Sequence, residues 1–157
     1  MTLYHGSTID IPCIDLSLSK PNKDFGRAFY LSDDRQQALE MAQFRAEFEE
    51  TEPVVNVYEF DEALFQQFRY KRFEAYTEEW AHFVYDHRTE PHGRTLHDYD
   101  IVYGPIANDR VGAQIARYKQ GYITFDEFLR RIQYIKGITF QYAFCTQRAI
   151  DKLQKIL

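Results

Sequence analysis

LYHGS (residues 3–7) sets a histidine, a glycine and a serine directly behind the residues that open the first strand of this chain. Leu3 to His5 has strand character, and Gly6-Ser7-Thr8 reads as its interruption. A histidine at such a place can turn its ring toward a cleft, and glycine beside it lets a ligand approach the main chain. Alone, the pattern is better read as a histidine satisfied at a strand end.

The rest of the chain gives it context. Ile9 to Leu18 is irregular and extended, PNKDFG (21–26) is a loop, and Arg27 to Leu31 is a second strand. Ser32-Asp33-Asp34 supplies N-cap residues for a helix from Arg35 to about Glu50. Val54 to Phe60 alternates as a strand, and Asp61 to Phe68 forms a short helix. Residues 76–88 form a helix with Thr77 as N-cap and Trp80, Phe83 and Val84 on one core-facing side. Asp100 to Pro105 is a buried strand, followed by helices over 112–119 and 123–135, the latter with Thr124 and Glu127 at capping-box spacing. Thr139 to Phe144 is the last strand, and Arg148 to Leu157 reads as a terminal helix capped by Thr146. Short strands and scattered helices without regular βαβ alternation give an α+β class. The length, 157 residues, suits one domain over residues 1–157.

Composition narrows the function. The net charge is −5, so a polyanion would have to be held by a local basic patch. Cys13 and Cys145 have neither metal-ligand nor disulfide-framework spacing, which fits a reducing compartment. The amino terminus has no basic or apolar leader, so a cytoplasmic location is expected. There is no glycine-rich phosphate loop, HExxH, GxSxG or CxxC, and Rossmann hydride transfer, P-loop chemistry and zinc hydrolysis lose their support. His82, His87, His92 and His97 recur every five residues, which does not share a helical face, so no metal is expected.

LYHGS, then a loop, then DFGRAFYLS (24–32) and a helix rich in Gln and Ala resembles the ADP-ribosyltransferase fold. VVNVYEFD (54–61), WAHFVYDHR (80–88), DYDIVYGPIANDR (98–110) and FQYAFCTQRAIDKL (140–153) look like the DUF3990 family, which the resemblance puts in the same superfamily and among toxins of toxin–antitoxin pairs. It implies short-stranded split sheets around an NAD cleft, with NAD as co-substrate and a cognate antitoxin as partner.

The resemblance also implies roles. His5 would bond a ribose hydroxyl on the adenosine side, Gly6 would grip the nicotinamide amide through its backbone, and Tyr30 would stack on the nicotinamide. Ser7, Phe25 and Phe29 belong to the same two stretches and go with the cofactor. Arg27 or Arg88 would neutralise the pyrophosphate, since a guanidinium matches phosphate oxygens bidentately. Many members carry a third-position glutamate that bonds the nicotinamide-ribose 2′-hydroxyl and stabilises the developing cation. Here the candidate by order is Gln141, which has the hydrogen bond without the charge, and the competitor is Asp100, which has the charge in the preceding strand. The expectation is an NAD-dependent ADP-ribosyltransferase with an unidentified acceptor, protein or nucleic acid. The alternatives are an NAD glycohydrolase and a non-catalytic nucleotide- or protein-binding relative.

Overall fold

The computed structural model describes residues 1–157, and the chain is α+β with two sheets and flanking helices. The first sheet has the order β1 (Thr2–Ser7), β3 (Val54–Glu59), β7 (Gln154–Lys155), all antiparallel. The second has the order β2 (Phe29–Leu31), β6 (Phe140–Phe144), β5 (Ile101–Pro105), β4 (Tyr70–Arg72), in which only β4 and β5 run parallel. The two sheets meet where Tyr4 and Ser32 exchange two 2.8 Å main-chain hydrogen bonds. Beyond that bridge β1 and β2 part.

The helices follow their sequence signals. Helix α1 (Arg35–Glu49) begins where the Asp34 carboxylate accepts from the Gln36 amide, and α2 (Glu78–Thr89) where Thr77 accepts from Trp80. Helix α3 spans Val111–Lys119 and α4 Phe125–Arg131, the latter capped by Thr124. Ala38, Ala42 and Ala46 recur every four residues on the buried side of α1, and their small size lets the helix lie directly on β1. A Cβ on Gly6 would stand 2.1 Å from the Ala38 carbonyl oxygen and 2.8 Å from the Ala42 nitrogen.

Strand alternation divides the core in two. One face of the second sheet carries Val102 and Ala143, which pack with Phe25, Phe73, Trp80, Val84, Phe128 and Ile132 beneath α2 and α4. Trp80 is fully buried because its indole N–H donates to the Pro105 carbonyl at 3.0 Å. The other face carries Phe29, Leu31, Ile101, Tyr103, Tyr142 and Phe144, which join Leu3, Tyr58 and Phe60 of the first sheet's side. This second cluster cements the two sheets together.

Three expectations require correction. Gly6 and Ser7 continue β1 rather than interrupting it. The terminal helix is a single turn, α5 (Gln147–Ile150), after which residues 154–155 pair with β3 because the Val57 main chain needs partners on its free edge. The helix expected over 123–135 stops at Arg131. No helix is long and apolar enough to cross a membrane.

Candidate functional site

The parting of β1 from β2 decides the local geometry. Val57 uses its N–H and C=O on the β7 side, with Leu157 and Ile156, so its neighbours Asn56 and Tyr58 face β1. Their partners His5 and Leu3 therefore spend their main-chain groups on β3, while Tyr4 turns its own to Ser32. By the same alternation the amide and carbonyl of Gly6 point at the β2 edge, where the strands have already separated. None of the hydrogen bonds outside the ladders engages them.

His5 spans the gap. Its Nδ1 lies 2.7 Å from the Tyr30 carbonyl oxygen, and its ring stacks on Phe29 with centroids 4.2 Å apart. A carbonyl only accepts, so Nδ1 carries the proton and Nε2 is left with a lone pair. Burial pushes the imidazole down to about 4, which keeps the ring neutral at physiological pH. Gln114 Oε1 is the one side-chain polar atom both sealed and unpartnered, so His5 Nε2, which has no partner, is reached by solvent.

Tyr30 is fixed at its far end. Its hydroxyl donates to the Gly26 carbonyl at 2.8 Å and accepts from the Phe25 amide at 2.9 Å, and burial raises the phenol well above its ordinary range. Register then places Gln141 on the same face, because Tyr30 pairs with Ala143 and Gln141 lies two residues before it. The Gln141 Nε2 donates to Asp24 Oδ2 at 3.2 Å. Asp24, buried, also receives Arg88 Nε at 2.7 Å and Arg88 Nη2 at 2.6 Å on Oδ1. One face thus gathers Tyr30, Gln141, Asp24 and Arg88, with His5 attached through the Tyr30 carbonyl.

Cations surround this face despite the acidic whole. Partial burial, with the positive charges of Arg88, Lys20 and Arg45, pushes the Lys23 ammonium below its ordinary value, and Arg45 acts on His5 in the same direction. Lys20, Lys23, Arg45 and Arg88 form a basic patch in which Arg88 is paired with Asp24 and Arg45 with Glu49 at 3.6 Å.

Other candidates have different occupations. Gly6 is buried and has no Cβ because α1 lies against it, so its side-chain direction is closed to a ligand. Ser7 is buried with its hydroxyl turned to the Ile9 amide at 3.4 Å. Phe25, expected to go with the cofactor, is sealed in the core with its ring close to Gly104 and Phe73. Phe29 is buried and backs the His5 ring. Arg27 donates to the carbonyls of Ser17 and Ser19 and clamps that loop. Arg88 spends its Nε and Nη2 on Asp24.

Asp100 is a joint of the fold. Its carboxylate accepts from the Arg69 amide at 2.9 Å, the Thr146 hydroxyl at 2.8 Å and Arg148 Nη2 at 2.8 Å, and it makes no hydrogen bond to His5, Tyr30 or Gln141. A depression of about 200 Å³ lined by Asp33, Asp34, Gln37, Tyr103 and Phe140 opens beside β6. It lies on the face opposite Gln141, and its two aspartates repel a pyrophosphate.

Residues 1–155 match a family described as "Protein of unknown function (DUF3990)". The chain belongs to the DUF3990 family. No curated protein and no solved structure matches it. The residues of the candidate site in this DUF3990 chain that the sequence does not reveal are Asp24, Lys20, Lys23 and Arg45. Asp24 reads as a turn residue of PNKDFG, and its partners stand 64 and 117 residues away.

Proposed function

We propose that this DUF3990 protein is an NAD-dependent ADP-ribosyltransferase, and that it acts as the toxin of a toxin–antitoxin pair. The observation that carries the enzymatic reading is the pair of unpaired main-chain groups of Gly6 at the parting of β1 and β2. A donor and an acceptor side by side on a strand edge complement a carboxamide, which has one of each. The toxin role and the antitoxin partner rest on the superfamily resemblance.

The neighbouring groups suit the rest of the dinucleotide. Neutral His5 offers Nε2 as an acceptor for a ribose hydroxyl, and the half-buried Tyr30 ring, anchored at its hydroxyl, offers a fixed stacking surface. Lys20 and Lys23, the two cations of the basic patch without an ion-pair partner, would supply positive potential for the phosphates. Gln141 Oε1 would accept from the nicotinamide-ribose 2′-hydroxyl. In the reaction the C1′–N bond breaks, its electron pair leaves with nicotinamide, and an acceptor nucleophile forms a bond to C1′ while losing a proton. The chain's contribution is to hold both halves of NAD and to withhold water.

The neutral third position favours a second reading, a nucleotide-binding relative without catalysis. Release of nicotinamide from NAD by the purified protein, with cell lysate as acceptor, separates the two. Release lost in His5→Ala and Gln141→Ala proteins is the expected result. Release without labelled acceptor makes the protein an NAD glycohydrolase, and NAD binding without release makes it the binding relative.

A further inference from the structure

We infer that Asp24 is a positioning residue whose carboxylate dictates an amide rather than a carboxylate at position 141, holding Gln141 by its NH₂ group so that Oε1 faces the ligand. The ligand-facing half of this inference rests on the functional reading above.

The geometry leaves one orientation of the amide. A carboxylate only accepts, so the end of Gln141 that lies 3.2 Å from Asp24 Oδ2 is its NH₂ group. Oε1 is then the outward atom, and it is open to solvent, since it has no partner and is not among the sealed atoms. Asp24 divides its two oxygens cleanly, Oδ1 to Arg88 and Oδ2 to Gln141. Its side chain is 8% exposed, so water does not compete for these bonds.

That arrangement bears on the departure from glutamate. A carboxylate at position 141 would face the Asp24 carboxylate across about 3 Å, with a single guanidinium, Arg88, to neutralise both. Two carboxylates at such range hold one proton between them rather than ionise together. The other charged or titratable groups around Asp24 are Lys23 beside it, the Tyr30 hydroxyl from β2 and the Tyr134 hydroxyl from the segment before β6. Lys23 makes neither a hydrogen bond nor an ion pair with Asp24 and does not replace a buried partner. Gln141 is therefore coupled to Asp24, and the pair has to change together. In a protein carrying Asp24→Asn and Gln141→Glu, the new amide would accept from Arg88 through its oxygen and donate from its nitrogen to the new carboxylate, satisfying every group.

The test uses the full chain as wild type, Gln141→Glu, Asp24→Asn and the double variant Asp24→Asn/Gln141→Glu. Each protein is melted between pH 5 and pH 8 and titrated with NAD by calorimetry. Gln141→Glu is expected to melt lower than wild type at pH 7.5, by about 2–4 °C for each kcal/mol of repulsion, with the gap closing toward pH 5 as the pair takes up its proton. The double variant is expected to regain the wild-type midpoint at pH 7.5, and with it the NAD affinity that Gln141→Glu loses. A Gln141→Glu protein that melts like wild type at every pH, or a double variant no better than Gln141→Glu, would overturn the coupling. The melts need no NAD, so absence of NAD binding in all four proteins with the melting pattern intact would overturn the functional reading instead, and with it the ligand-facing role of Oε1.

Discussion

The imidazole of His5 donates from Nδ1 to the main-chain carbonyl of Tyr30, 2.7 Å away, across the gap where β1 and β2 separate. One side chain thereby closes a space that a further pair of ladder hydrogen bonds would otherwise fill, and its second nitrogen stays free for another molecule.

His5 sets a pH limit on stability. Its folded value near 4 lies below the 6.5 of an unfolded histidine, so between those values the unfolded chain binds more protons. The stabilisation is fully present above pH 6.5 and is lost as pH falls toward 4. His87 and His97, also held low by burial, act with the same sign. Urea midpoints from pH 4 to pH 7.5 should rise with pH, and the rise should be shallower in His5→Gln.

Gly6→Ala brings a methyl group within 2.1 Å of the Ala38 carbonyl oxygen, which is backbone and moves only with the whole helix. The expected cost is about 1–3 kcal/mol, the range for overpacking, or more. Equilibrium denaturation measures it, and a full-strength Gly6→Ala protein would show that α1 shifts freely on β1.

Tyr30→Phe keeps the ring and removes the hydroxyl that joins the Phe25 amide to the Gly26 carbonyl. Two main-chain groups lose their partner, at about 1–3 kcal/mol. NAD titration should show affinity changed much less than in Tyr30→Ala, since the stacking surface survives.

Asp100→Ala should lower stability by about 1–3 kcal/mol, because the Arg69 amide and the Thr146 hydroxyl lose their acceptor while the solvent-exposed Arg148 guanidinium is rehydrated. Nicotinamide release should fall only in step with the folded fraction, measured by circular dichroism on the same samples. A folded Asp100→Ala protein with no release would return Asp100 to the site in place of Gln141.

Lys20→Ala/Lys23→Ala removes half of the basic patch while leaving the cores untouched. NAD affinity should weaken and become less sensitive to salt, as Kd values at two ionic strengths would register.

The parts of this fold whose causes are local are legible in the sequence. The caps at Asp34, Thr77, Thr124 and Thr146 all close the helices they precede, and the alternation over 54–59 is a strand as expected. Tertiary pairing is not legible in the same way. β4 is three residues recruited by β5, and β7 is two residues drawn to β3 from a stretch whose Ala149, Ile150 and Leu153 spacing imitates a helix. The site shows the same division. His5, Tyr30 and Gln141 stand out through their order along the chain, whereas Asp24 is hidden because a turn already accounts for an aspartate in PNKDFG. Gly6 attracts notice for a ligand's sake, while its missing side chain serves α1.

The joint between the sheets has a consequence for cold. A single main-chain bridge, Tyr4 with Ser32, and one imidazole tie β1 to β2, while Leu3, Phe29, Tyr58, Phe60 and Phe144 hold the sheets together by apolar contact. Apolar association weakens on cooling, whereas the ladders within each sheet do not depend on it in the same way. Chilling therefore weakens the apolar part of this seam and leaves the Tyr4–Ser32 bridge and the His5 imidazole to carry more of it.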